Sequence, residues 1–142
     1  MNRSFFFFFF LLNFFFAQAQ ELTTQTSSGS TVLNDYELTD IQFSSWKKIL
    51  NNWIGSDFQN IEAENKVTLN CKSCASFYME IEIKIGANGK MEYYKMLDGR
   101  KCGMMITKPL ELRIMRNFFK FEFPPELRNL SFKTRLGEVL KC

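Results

Sequence analysis

The alternation of hydrophobic and polar positions is clearest between residues 77 and 97, where it predicts a β-hairpin. Residues 79–85 alternate between apolar and charged side chains, as expected of a strand with one buried and one solvated face. Asn88-Gly89 tolerates the positive φ angles of a tight turn, and residues 91–97 return as the second strand. Because an isolated hairpin is barely stable in water, the pattern also predicts a cover for its apolar face.

Two other segments have the 3.6-residue spacing of amphipathic helices. The first is predicted to begin after Ser44-Ser45 and to end at Gly55, and the second covers about residues 108–117. Core packing is the first interpretation of the tryptophans in the first helix, and an aromatic face for a partner is the alternative. The apolar positions of the two helices are Trp46, Ile49, Leu50, Trp53 and Ile54, then Leu110, Ile114 and Phe118.

The shorter segments complete the predicted order of elements. They are a polar connection at 57–65, a short strand at 67–71, a loop at 98–103, an extended stretch at 119–123 and a last strand at 130–136. Helix, short strand, strand, strand, helix and strand predict an α+β domain. We expect an antiparallel sheet of three to four strands with two helices packed on it.

The first 35 residues are predicted to precede this single domain, which covers residues 36–142. Arg3, the apolar run 5–16 and the small-x-small motif Ala17-Gln18-Ala19 are typical of a secretory signal peptide at residues 1–19. The run is shorter than the ~20 residues that span a bilayer, and an uncleaved anchor is the alternative. Residues 20–35 predict a flexible Ser/Thr-rich leader. The expected product is exported, either periplasmic or secreted, without a membrane span after cleavage.

The net charge and the absence of histidine limit the functions that this chain can have. The net charge of +3 is too small to indicate nucleic-acid binding. Residues 66–142 nevertheless carry 15 bases against 8 acids, which fits a solvated basic face or, alternatively, attraction to an acidic partner. The chain contains no histidine, which excludes Ser-His-Asp and Cys-His catalysis and all histidine metal ligands. The sequence therefore predicts a protein that is not an enzyme.

The order of hairpin, loop, helix and proline-containing segment resembles the TonB C-terminal domain family over about residues 77–136, within a TonB C-terminal-like region of 77–142. The resemblance implies that the first hairpin strand is central in the sheet and that the domain binds an extended peptide. It does not extend to force transmission, because the short leader here replaces the long anchored spacer of that family. The segments that carry it are Ile81-Glu82-Ile83-Lys84-Ile85, Asn88-Gly89-Lys90-Met91, Met96-Leu97, Cys102-Gly103 and Phe121-Glu122-Phe123-Pro124-Pro125.

The four cysteines, Cys71, Cys74, Cys102 and Cys142, predict two disulfides in an exported chain, with three possible pairings. The topology that the resemblance implies gathers all four at one end of the sheet. One alternative is redox chemistry at the C-x-x-C of Cys71 and Cys74, although the motif does not begin a helix. Another is a structural zinc ion on the four cysteines, although a second C-x-x-C is missing. No other metal or cofactor is predicted.

The function predicted is that of a small exported binding module. A protein or peptide partner, expected in the cell envelope, would add an extended segment to the edge formed by the last strand, at Ser131, Lys133, Thr134 and Arg135. Lys133 and Arg135 would favour acidic partners. The alternatives are a thiol–disulfide factor that uses Cys71 and Cys74, and a disulfide-stabilised accessory protein without a specific ligand.

Overall fold

The computed structural model describes residues 31–142, so the predicted signal peptide and most of the predicted leader lie outside the described residues. The α+β class is confirmed. The helices are α1 (Asp40–Trp53), α2 (Gln59–Glu64) and α3 (Lys108–Met115), and the strands are β1 (Leu33–Asn34), β2 (Ser76–Ile85), β3 (Met91–Lys101), β4 (Met104–Met105) and β5 (Ser131–Val139). Single 3-10 turns lie at Asp35–Glu37, Phe118–Lys120 and Pro125–Leu127.

The strands form one mixed sheet in the order β1-β5-β2-β3-β4. Strand β2 is central and antiparallel to both β3 and β5, which is the arrangement that the resemblance implied for the first hairpin strand. The two-residue strands β1 and β4 extend the sheet at its margins, and β1 runs parallel to β5. Within residues 31–142 the sheet therefore has five strands where three to four antiparallel strands were predicted, and the pairing of β1 with β5 is parallel.

Strand β2 supplies the centre of the core. Its alternate side chains Phe77, Met79, Ile81, Ile83 and Ile85 are completely buried, and burial of each stabilises the fold by about 1.5–3 kcal/mol. Helix α1 covers this face with Trp46, whose ring lies 5.3 Å from the Phe132 ring in an edge-on contact. The other face of the sheet carries mostly polar and charged side chains.

The first helical segment differs from its prediction at both ends. Helix α1 begins at Asp40 because Thr39 caps it: the Thr39 hydroxyl accepts the Gln42 N–H, and the Gln42 side chain accepts the Thr39 N–H. Gly55 does not end the helix, because a π-helical turn over Ile54–Phe58 leads directly into α2. The predicted connection at 57–65 is therefore wrong. Continued helix places Phe58 5.0 Å from the buried Phe77 ring.

Three predictions for shorter segments are also wrong. Residues 67–71 form no strand, and only an isolated bridge joins Asn70 to Cys74. The predicted loop at 98–103 is mostly strand, because β3 stays paired with β2 as far as Lys101. The predicted extended stretch at 119–123 begins in a 3-10 turn. The last residues of the predicted flexible leader instead form β1, which pairs with β5.

The turn between β2 and β3 is wider than a two-residue turn. Gly86 N–H donates to the Lys90 carbonyl, and Gly89 N–H donates to the Gly86 carbonyl. Within this turn only Gly89 has a positive φ, of 74°, whereas a tight turn of the predicted kind needs positive φ at Asn88 as well. The hairpin itself is confirmed, and its turn spans residues 86–90.

Strand β5 contains a glycine that no other residue can easily replace. Gly137 has a φ of 98°, and a Cβ atom there would collide with the Phe77 carbonyl oxygen of β2. Gly103 has a similar φ of 83°, but no atom lies within 4 Å of the equivalent Cβ position. Both glycines therefore have a positive φ, but only Gly137 lacks room for a side chain.

We expect Gly137→Ala to lower the free energy of unfolding by about 3 kcal/mol and Gly103→Ala by about 1 kcal/mol. Both substitutions impose backbone strain, but only the first displaces a neighbouring strand. Urea denaturation of the two variants measures the difference. Equal losses would show that the approach of Gly137 to Phe77 is unimportant for stability.

Candidate functional site

The outer edge of β5 can be located from its hydrogen bonds to β2. Ile85 N–H donates to the Leu130 carbonyl at one end, and Leu140 N–H donates to the Ala75 carbonyl at the other. The register between the two strands has no shift. Because hydrogen-bonded pairs alternate along an antiparallel ladder, the backbone groups of even-numbered β5 residues face β2. Those of odd-numbered residues face outward.

Strand β1 covers only the first part of this outer edge. Leu33 pairs with Phe132 and Asn34 pairs with Lys133, after which the chain leaves in the turn at Asp35–Glu37. In the described part of the chain no strand lies beside β5 from Arg135 onward. The outward N–H and carbonyl of Arg135 are therefore at an open sheet edge.

The opposite edge of the sheet is less regular. The pairing of β3 with β2 shifts register twice, between Glu80 and Ile81 and between Lys84 and Ile85, so that Leu97 and Glu92 are extra residues on β3. Bulges of this kind bend an edge and oppose the addition of another strand. The open part of β5 is thus the edge better suited to strand addition.

A groove of about 430 Å³ lies at the point where β1 leaves the sheet. Three of the four predicted partner-binding residues line it, namely Lys133, Thr134 and Arg135. The fourth, Ser131, is buried near the start of β5 and is not part of the lining. The remaining lining residues, which the sequence analysis did not identify, are Asn34, Asp35, Tyr36, Glu80 and Leu97.

Thr134 belongs to the framework of the groove. Trp46 Nε1 donates to Thr134 Oγ1 at 2.9 Å, and Thr134 Oγ1 donates to Asp35 Oδ2 at 3.0 Å. This chain of hydrogen bonds joins α1, β5 and the segment after β1. The Thr134 side chain therefore holds the wall of the groove and is not available to a partner.

Arg135 is held in one orientation on the polar face of the sheet. Its Nη2 and Nε donate to Glu80 Oε1 at 2.6 and 3.2 Å, and its guanidinium lies 5.1 Å from the centre of the Tyr78 ring. The Tyr78 hydroxyl in turn donates to Asp98 Oδ2 at 2.8 Å. Exposed ion pairs contribute little to stability, so the main effect of these contacts is to orient Arg135.

Lys133 differs from its neighbour. It is exposed, and within residues 31–142 it makes no ion pair and no side-chain hydrogen bond. Its cross-strand neighbour Glu82 also faces Lys95 on the other side, so two cations flank one carboxylate. Lys133 is therefore the cation of the groove that is available to an anionic group.

The contact with Tyr78 changes the titration of Asp98. The hydrogen bond from the Tyr78 hydroxyl, followed by one from the Gly99 backbone, lowers the pKa of Asp98 below its ordinary value. The same contact raises the pKa of Tyr78. Since the folded pKa of Asp98 is the lower one, the carboxylate stabilises the fold above its unfolded pKa. That contribution is lost as the pH falls through the folded pKa.

We expect Tyr78→Phe to raise the pKa of Asp98 toward its ordinary value, because the largest cause of the lowering is removed. The titration is followed by NMR of the Asp98 carboxyl carbon. Tyr93→Phe is the matched control, since Tyr93 is exposed and lies on the same face of the sheet. An unchanged pKa of Asp98 in Tyr78→Phe would contradict the assignment.

The four cysteines meet at the end of the sheet away from the β2–β3 turn, and the two predicted disulfides are confirmed. Cys71 bonds to Cys142, and Cys74 bonds to Cys102. The two cysteines of the C-x-x-C are therefore not bonded to each other, and none of the four is a thiolate that could bind zinc. Disulfides of this kind form in oxidising compartments.

Two further properties concern residues 31–142 only. They contain no group of three or more Cys, Asp or Glu side chains arranged to hold a metal ion. None of their helices is both long and apolar enough to cross a bilayer.

Comparison of the chain with protein-family models, curated proteins and solved structures finds no match in any of the three. The resemblance to TonB C-terminal domains therefore stays a prediction from the sequence.

Proposed function

We propose that this chain is a small exported binding module that accepts an extended segment of a protein partner along the outer edge of β5. The observation that carries the proposal is the open edge from Arg135 onward, which continues the line of β1 and lies beside the groove. An added strand would gain main-chain hydrogen bonds from Arg135, and its side chains would enter the groove. No catalytic step is part of this function.

An acidic partner fits the charges that remain available in the groove. Glu80 is already engaged by Arg135, and Asp35 accepts the Thr134 hydroxyl. Lys133 has no such contact, and Arg135 is presented in a fixed orientation. A carboxylate on the added strand would pair with Lys133, while its apolar neighbours would contact Leu97 and Tyr36, which are 43% and 76% exposed.

The setting of the proposal is the cell envelope or the exterior. The two disulfides, the predicted signal peptide and the resemblance to TonB C-terminal domains all support a periplasmic or secreted peptide-binding protein.

Arg135→Pro is expected to weaken binding of an extended peptide by about tenfold relative to Arg135→Ala, because proline removes the outward N–H while both variants lack the guanidinium. The probe is a fluorescent nine-residue peptide of alternating Val and Glu, measured by anisotropy. Proline at Thr134 would be uninformative, since the Thr134 N–H bonds to β2. Equal affinity of the two Arg135 variants for the peptide would show that the peptide does not bind by strand addition at this edge.

Lys133→Glu tests the charge preference separately. We expect it to weaken binding of the Val/Glu peptide and to strengthen binding of a matched Val/Lys peptide, because the available charge of the groove changes sign. Lys90→Glu in the β2–β3 turn, which does not line the groove, is the control for net charge. If both reversals change binding equally, the preference comes from the whole surface and not from the groove.

A further inference from the structure

The C-x-x-C turn brings two different disulfides together. Residues 71–73 form a turn that is closed by hydrogen bonds in both directions between the backbones of Asn70 and Cys74. The Asn70 side chain accepts the N–H groups of Lys72 and Ser73 and so fixes the same turn. The closed turn therefore keeps Cys71 and Cys74, three positions apart, on one short loop, and a disulfide between them requires Cα atoms no more than about 7 Å apart.

The two disulfides differ in their accessibility. Cys71 and Cys142 are both exposed, whereas Cys74 is only 5% exposed and its partner Cys102 is half-buried. Beyond Val139, a single backbone bond from Leu140 to Ala75 precedes the Cys142 attachment. An external thiolate therefore reaches Cys71–Cys142 far more easily than Cys74–Cys102.

We propose that Cys71–Cys142 is an entry site for external dithiols, and that Cys71 then passes the exchange to the Cys74–Cys102 disulfide. A thiolate of the dithiol attacks Cys142 Sγ, and Cys71 leaves as a thiolate. The second thiol of the reagent releases Cys142, so the dithiol is oxidised to its disulfide while Cys71–Cys142 gains two electrons and two protons.

The second step is an isomerisation without net oxidation or reduction. The Cys71 thiolate attacks Cys74 Sγ, a Cys71–Cys74 bond forms, and Cys102 leaves as a thiolate that takes a proton from water. Cys102 forms the turn between β3 and β4 together with Gly103. Exchange therefore removes the covalent link between the β3–β4 turn and the segment that precedes β2, and leaves the hydrogen bond from Cys102 N–H to the Ser76 carbonyl as the remaining contact there.

Cys142→Ser isolates the second step, because it leaves Cys71 as a free thiol beside an intact Cys74–Cys102. After equilibration at pH 8, thiols are trapped with iodoacetamide and mapped by mass spectrometry. We expect alkylated Cys102 at about a tenth or more of the level of alkylated Cys71, together with a Cys71–Cys74 peptide. Alkylation confined to Cys71 would overturn the relay. Cys71→Ser is the matched control, in which the label is expected only on Cys142.

Graded reduction of the unmodified protein with dithiothreitol tests the first step without relying on a variant. Alkylation is expected to appear at Cys71 and Cys142 at a dithiothreitol concentration about tenfold lower than the concentration that reduces both disulfides. Simultaneous loss of both disulfides, or earlier loss of Cys74–Cys102, would overturn the assignment of Cys71–Cys142 as the entry site. Neither result bears on peptide binding at β5.

Discussion

The burial of one face of β2 is the constraint on which the rest of the structure depends. Phe77, Met79, Ile81, Ile83 and Ile85 are fully removed from water only because helices cover this face, and a two-stranded hairpin alone leaves them exposed. The central position of β2 also explains why β3 and β5 are the long strands. The neighbours of a central strand must satisfy its backbone groups on both sides along its whole length.

Period-two alternation was sufficient to predict β2 and most of β5, since each has one face in the core. Strand β3 was predicted from the Asn88-Gly89 turn that precedes it, because two bulges interrupt its own alternation. Alternation could not predict β1, because two residues are too few to show a period. Gly55 was misread as a helix end for a different reason. A glycine inside a helix costs only about 1 kcal/mol relative to alanine. Burial of Phe58 and Ile61, which follow Gly55 in the chain, stabilises the continued helix by several kcal/mol.

The candidate site was only partly visible in the sequence. Lys133 and Arg135 could be identified because they alternate with buried residues on a strand. The groove beside them depends on tertiary contacts, since Asp35 is positioned by Thr134, and a bulge places both Leu97 and Asp98 opposite Glu80. The disulfide pairing likewise follows from strand order, which brings Cys142 to Cys71 after β5 returns antiparallel to β2.

The alternation of backbone direction along β5 has a consequence for hydrogen–deuterium exchange. The amide protons of Thr134 and Leu136 lie inside the ladder with β2, whereas that of Arg135, between them, faces the open edge. Neighbouring amides on one rigid strand should therefore exchange on different timescales, a slow–fast–slow sequence that would belong to the geometry of the edge and not to local flexibility. A bound strand would make that sequence uniform.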